Sequence, residues 1–301
     1  MGLRLHYCDH FEVLLPERHR FPMEKYRLLR ERLVERGCVS ELELVAATTA
    51  PLEDLFAVHD PSYVQAFLDG TLDRRAVQRI GFPWSEEMVL RSLASVGSTL
   101  AAVEAALVDG LSGSLAGGTH HAHRDFGSGY CVFNDLAVAS RRVLDRGSVS
   151  RVLVFDVDVH HGDGTAAIFA DEPRVFTCSL HGERNFPARK PAGDLDVGLP
   201  DGTGDDSYLA ALDRALDEAL ERARPDLVLY QGGVDVLAAD RLGRLGLSVA
   251  GCAERDRRAL GRFRSEGLPV ALTLGGGYAE PLEPTLEAHE GTWRVCRELL
   301  A

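Results

Sequence analysis

The chain has 301 residues, 45% hydrophobic and 26% charged, with a formal net charge of −13. That length holds one large α/β domain or two small ones, and the apolar fraction is enough for a sizeable core. The acidic balance, with no basic patch or arm, argues against a nucleic-acid backbone as the main partner; it suits a solvated acidic surface and, weakly, cationic substrates.

The opening "MGLRLHYCDH" has no long apolar stretch, so no secretory signal is expected. No run of about 18 apolar residues follows, so no membrane span is expected. Cysteines stand at 8, 38, 131, 178, 252 and 296, never as CxxC. Scattered in this way they read as reduced thiols in a cytoplasmic protein, and the spacing excludes a zinc ribbon.

Helical patterns then alternate with short apolar strands, without repeats or low-complexity linkers. The amphipathic stretch 23–37 ends at Gly37, and 61–70 starts on Pro61 and closes on Gly70. Ser85 and an acidic first turn open a long helix over 85–110. Two more helices are predicted over 204–225 and 250–267. The strands are "SLAGG", "RVLVFDVDV", "RVFTCSL", "DLVLYQGG" and "PVALTLGGG". Continuous apolar strands alternating with helices predict a parallel, doubly wound sheet with right-handed crossovers, in one domain covering 1–301.

Ligands of such sheets bind beyond the carboxyl ends of the strands. Those ends here carry Thr119-His120-His121, the cluster Asp156, Asp158, His160, His161 and Asp163, then His181, Asp235 and Tyr278. Side chains alternate along an extended segment, so Asp156, Asp158 and His160 share a face, with Val157 and Val159 on the other. Asp158 and His160 can therefore reach one metal, with Asp235 the candidate third ligand. Two carboxylates and one imidazole leave a coordination position open, as catalytic sites do. Zn²⁺ fits best, and Fe²⁺ or Mn²⁺ are compatible with the same ligands. His120, His121, Asp156 and Asp163 then make two His–Asp dyads, each carboxylate fixing an imidazole tautomer. His123 is assigned no role. Tyr278, after Gly275-Gly276-Gly277, is placed to donate its hydroxyl to a carbonyl oxygen.

Together "GGTHHAHRDFGSGYCVFND", "FDVDVHHGDGTAAIF", "CSLHGERNFP", "QGGVDVLAADRLG" and "GGGY" resemble the zinc-dependent histone deacetylase family, and most of all its class IV group and bacterial amidohydrolase relatives. The resemblance implies an arginase-like three-layer fold with a mainly parallel eight-stranded sheet. It also implies hydrolysis of an acylated lysine or a similar acylated amine. Asp158, His160 and Asp235 would bind zinc. His121 with Asp163 would be the general base, and His120 with Asp156 would orient water and stabilise charge. Tyr278 would stabilise the oxyanion. The Gly129 carbonyl would meet the substrate amide, and Tyr130 and Phe186 would line an acyl-lysine tunnel. A structural potassium site would use Asp156, Asp158, His160, Ser179 and Leu180; a second would use Phe169, Glu172, Val175 and Tyr208.

One departure stands out. Class I members carry a rim aspartate that grips the substrate backbone, whereas "IGFPWSEEM" offers only Glu86 and Glu87, read as first-turn residues. Phe21, near His19, is expected to shape the pocket instead. An acetylpolyamine amidohydrolase is the alternative within this chemistry. A ureohydrolase would need extra Asp and His ligands for a second metal, and a non-catalytic binding relative should lack Tyr278 or a tandem histidine.

Overall fold

The structure is a computed structural model that describes residues 2–300, so both ends of the expected 1–301 domain lie outside the described residues. Along the chain come β1 (Arg4–Tyr7), α1 (Lys25–Glu35), β2 (Leu44–Ala46), α2 (Leu52–Phe56), α3 (Pro61–Leu68), α4 (Arg74–Ile80), α5 (Glu86–Asp109) and β3 (Leu111–Ser114). The second half adds α6 (Asp135–Asp145), β4 (Val152–Asp156), α7 (Asp163–Phe169), β5 (Val175–Gly182), β6 (Leu195–Leu199), α8 (Asp205–Ala223), β7 (Leu227–Gln231), α9 (Val249–Ser265), β8 (Val270–Thr273) and α10 (Glu283–Leu300).

The eight strands form one sheet in the order β2-β1-β3-β8-β7-β4-β5-β6, and every pairing is parallel. The apolar strands alternate between two cores. Leu153, Phe155, Val228 and Tyr230 pack with α8 and α9 residues on one face. Val152, Val154, Leu227 and Leu229 pack with α5 and α6 residues on the other. A strand buried on both sides needs apolar residues at every position, which is why these segments read as continuous runs.

The helix expectations hold to within two residues at either end. Ser85 caps α5 by accepting from the Met88 N–H at 3.1 Å, and Glu86 and Glu87 occupy its first turn. By length and composition α5 could cross a membrane, but more than half of its apolar window is buried within the protein. Three strand expectations are shortened: β3 ends at Ser114 with "LAGG" beyond it, β8 ends at Thr273 before the glycines, and β4 ends at Asp156, so Asp158 and His160 lie in bends past the strand and not on an extended segment. β1, β2 and β6 were not foreseen. They are three to five residues long; β1 and β6 mix buried with exposed positions and β2 has no buried one, so they lack the continuous buried apolar pattern.

Candidate active site

β4 ends at Asp156 and runs into the segment that carries Asp158 and His160; the segment after β7 carries Asp235. The His160 Nδ1 atom lies 3.0 Å from Asp158 Oδ1 and 3.0 Å from Asp235 Oδ2. All three residues are buried, and their ligand atoms lie within 4.8 Å of one another. The Asp235 carboxyl is pushed up to about 7, first by burial and then by the Asp158 carboxylate. Burial opposes a charge on His160, but Asp235 and Asp158 outweigh it and hold the imidazole at about 10. Two carboxylates desolvated against one another form a donor set that a divalent cation neutralises, so these residues fit a metal.

The glycines explain the close packing. The Gly276 N–H donates to Asp158 Oδ2 at 2.7 Å, and a Cβ on Gly276 would overlap the Asp235 carboxylate. A Cβ on Gly233 would overlap Asp158. The buried Arg255 of α9 donates to the carbonyls of Val157 at 3.3 Å and Gly233 at 2.6 Å. It thereby ties together the two segments that bring Asp158 and Asp235.

The turn after β3 presents the tandem histidines. Asp135, in the first turn of α6, accepts from the N–H groups of Gly118 at 3.0 Å and Thr119 at 2.7 Å. Asn134 donates to the Ala122 carbonyl at 3.1 Å. The backbone of His120 and His121 is thus held from both sides. His120 Nδ1 lies 2.6 Å from Asp156 Oδ2, and His121 Nδ1 lies 2.6 Å from Asp163 Oδ1.

The two dyads differ electrically. Burial works against charge on His120, but Asp156 and then Asp158 override it and hold the ring at about 9. His121 is driven down to about 3, by burial first and then by the charge on His120, with Asp163 opposing only in part. The surroundings thus favour the proton on His120 and the neutral form of His121. An Nδ1–H donated to Asp163 leaves the His121 Nε2 lone pair free.

His121, His160, Gly129, Tyr130, Phe186 and Tyr278 line one cleft of about 560 Å³. Phe186 meets the His121 ring edge-on, with centroids 4.9 Å apart. Gly129 (φ +53°) and Tyr130 (φ +65°) are both left-handed, and a Cβ on Gly129 would sit 2.6 Å from His121 Cδ2. Only glycine permits that approach. The Tyr278 hydroxyl stays protonated: burial and then Asp235 and Asp158 raise its pKa well above the usual tyrosine range. A second hollow of about 570 Å³, between the 11–24 segment and Arg241, reaches neither the tandem histidines nor the metal set.

Some expectations change. His123 belongs to the site, since its Nε2 lies 2.9 Å from Asp163 Oδ2 while its ring stacks on Phe126. A carboxylate has acceptor sites for two histidines, and the spacing of His121 and His123 from Asp163 was the available signal. His181 does not join the cleft. It sits with His161 and Asp196 in a separate cluster, where His161 Nε2 is 2.9 Å from Asp196 Oδ1. Phe21 stands behind the cleft wall, its ring 5.1 Å from Tyr130 and 6.0 Å from Tyr278.

Asp156 pairs in register with Ser179, which brings that part of the first proposed potassium set together, with Leu180 next in β5. Of the second set, Phe169, Glu172 and Val175 share one turn, where the Glu172 N–H donates to Phe169 O at 2.9 Å and the Val175 N–H to Glu172 O at 3.1 Å. Tyr208 does not join them: it packs in the α8 core on the opposite face from Phe169 and Val175.

Three positioning groups were not foreseen. Asp240 accepts from the Tyr278 N–H at 2.6 Å. The buried Lys25 Nζ donates to the Gly275 carbonyl at 3.2 Å, behind the glycine turn. Gln231 donates to Asp158 Oδ2 at 3.1 Å.

Comparison with known proteins agrees with this geometry. The histone deacetylase domain matches residues 19–291. An uncharacterized protein of Picosynechococcus is 44% identical over 99% of this chain and 100% of its own length. A histone deacetylase-like amidohydrolase of Pseudomonas aeruginosa is 34% identical over 87% of this chain and 73% of its own. Among solved structures, a histone deacetylase homolog complexed with SAHA superposes with a TM-score of 0.84 at 27% identity, covering 100% of this chain and 84% of that one. A homolog from Aquifex aeolicus gives 0.82 at 25% identity, over 99% and 84%. With its arginase-like sheet, its paired His–Asp dyads and these relatives, the chain belongs to the histone deacetylase family and is an amide-bond hydrolase.

Proposed function

We propose that this chain is a zinc-dependent deacylase that removes acyl groups from lysine side chains or similar acylated amines, with 1–301 acting as one catalytic domain. One observation carries the reading: His121, its Nδ1 held by Asp163 and its ring driven toward the neutral form by burial, lines the same cleft as His160 and Tyr278.

Asp158, His160 and Asp235 would hold the zinc. When bound, the cation polarises the acyl carbonyl and lowers the pKa of water. His121 Nε2 takes a proton from the water that attacks the acyl carbon, and the C–N bond breaks as the tetrahedral adduct collapses. The His120 cation, anchored by Asp156, balances negative charge as it develops. The Tyr278 hydroxyl donates to the tetrahedral oxyanion. His121 then gives its proton to the departing amine. The Gly129 carbonyl would accept the substrate amide N–H, and Tyr130 and Phe186 would flank the acyl-lysine stem. Asp156, Asp158, His160, Ser179 and Leu180 would hold a structural potassium ion.

The test is a panel of acetyl- to myristoyl-lysine peptides and acetylpolyamines with zinc-loaded protein. Release of carboxylate and free amine from acyl-lysine supports the reading. Turnover of acetylpolyamines alone replaces it with the polyamine alternative, and no turnover across the panel overturns it.

Tyr278→Phe separates oxyanion stabilisation from binding. The variant keeps the ring and loses the donor, so kcat should fall roughly 10²–10³-fold, the range for one oxyanion donor, while KM changes little. A near-normal kcat on an acylated amine would remove Tyr278 from this role.

A further inference from the structure

The mouth of the cleft carries positive charge on a chain whose net charge is −13. Arg79, Arg184 and Arg244 line the cleft, and none of its lining residues is an Asp or Glu. Arg79 lies in α4, whereas Arg184 and Arg244 come from two adjoining segments that share Asp201. The Arg79 carbonyl accepts the Gly129 N–H at 3.2 Å, and the guanidinium lies 4.7 Å from the Phe126 ring centroid. Arg184 stands two residues before Phe186. Arg244 lies two residues after Leu242, whose carbonyl accepts from Asn185 at 2.9 Å. The side chains of Arg184 and Arg244 are 71% and 57% exposed, so their charges face solvent at the opening.

Of the three, Arg79 is the one left without a carboxylate partner among the described residues. Arg184 and Arg244 share one carboxylate, Asp201, at 4.0 and 3.3 Å, and Glu183 is 3.8 Å from Arg184. Lys190 adds a cation behind Phe186, its Nζ donating to the carbonyls of Asn185 and Pro187 at 2.8 Å each. A cleft with one sign of charge on low-dielectric walls concentrates ligands of the other sign.

We infer that Arg79, Arg184 and Arg244 select acylated amines whose portion outside the tunnel carries carboxylates, and disfavour polycationic acylated amines. The inference rests on the deacylase reading and gives it a substrate class. The chain as a whole is acidic, but no Asp or Glu lines the cleft. A protonated polyamine would bring its charges to the guanidinium groups, where like charges repel. Two sources of carboxylate fit the same chemistry: acidic residues flanking an acyl-lysine in a peptide, or the carboxylate of a small acyl amino acid.

The experiment uses matched pairs. One is an acetyl-lysine peptide with Asp flanks against the same peptide with Lys flanks. The other is Nα,Nε-diacetyl-lysine as the free acid against its amide. N1-acetylspermine, which keeps three protonated amines, is the polycationic probe. In zinc-loaded protein at low salt, kcat/KM for the Asp-flanked peptide should exceed that for the Lys-flanked one about 10-fold or more, chiefly through KM. The preference should shrink with added salt as exposed charges are screened. The triple variant R79Q/R184Q/R244Q should bring the ratio close to one. A preference confined to the free acid assigns the small-molecule source; one confined to the peptides assigns the acidic peptide. Binding of the same probes by calorimetry is read independently of turnover, so if nothing is hydrolysed the deacylase reading fails while the affinity ratio still decides this one. Equal affinity for both flanks, a ratio unmoved in the triple variant, or tighter binding of N1-acetylspermine overturns it.

Discussion

Stripping the metal from the purified protein should abolish amide hydrolysis, and restoring about one Zn²⁺ per chain should return it. The expectation follows from charge. Asp158 and Asp235 are buried and converge on a single imidazole nitrogen. The strain between them shows in Asp235, whose carboxyl is pushed up to about 7 by burial and by Asp158. A divalent cation turns that repulsion into attraction, and the same ion supplies the polarisation that His121 and Tyr278 cannot. Binding to the folded chain should also raise the melting temperature, a readout that needs no substrate. Asp235→Asn keeps the shape but removes one negative ligand, so it should lose both the metal and the thermal shift. Elemental analysis of protein purified without chelators decides between zinc, iron and manganese. Full activity in thoroughly depleted protein would remove the metal from the mechanism.

Much of this site was legible because the chemistry sits at strand ends. A buried strand that runs "VLVF" and then turns to Asp156, Asp158 and His160 has no packing reason to change so abruptly. The convergence of Asp235 on the same point followed from the parallel sheet, since β4 and β7 are neighbours. What stayed hidden was support from groups that look ordinary in sequence. Arg255 lies within "ERDRRALGRFR", a charge run that reads as an exposed helix face, yet it is buried and holds the carbonyls of Val157 and Gly233. Lys25 and Asp240 are likewise single charges in unremarkable segments, and only the fold brings them behind the glycine turn. His181 misled for the opposite reason. It follows an apolar run, but β5 continues to Gly182, and the ring meets His161 and Asp196 rather than the cleft.

His121→Ala should cost more kcat/KM than His120→Ala, with the metal retained in both. A proton-transferring residue is worth about 10²–10⁴ in rate, and the electrostatics give that task to one ring only. His121 is neutral, held down to about 3 by burial and by the charge on His120, so at physiological pH it has a lone pair to offer. His120 is held up against burial first by Asp156 and then by Asp158, so it is the ring disposed to carry a proton rather than to accept one. The pH dependence tests the coupling between them. A base works in its unprotonated form, so kcat/KM falls as pH drops through the pKa of His121. Removing the positive neighbour in His120→Ala removes one cause of the lowering, the His121 pKa rises, and the acidic limb of the profile should move to higher pH. His120→Ala should therefore keep residual, pH-dependent turnover, whereas His121→Ala should lose the limb with the activity. Both rings act on the same water, so the double variant should be little worse than His121→Ala alone. The measurement is kcat/KM against pH for the two single variants and the double, with metal content checked in each. If His121→Ala remains the more active with its metal in place, the roles are reversed and His120 is the base.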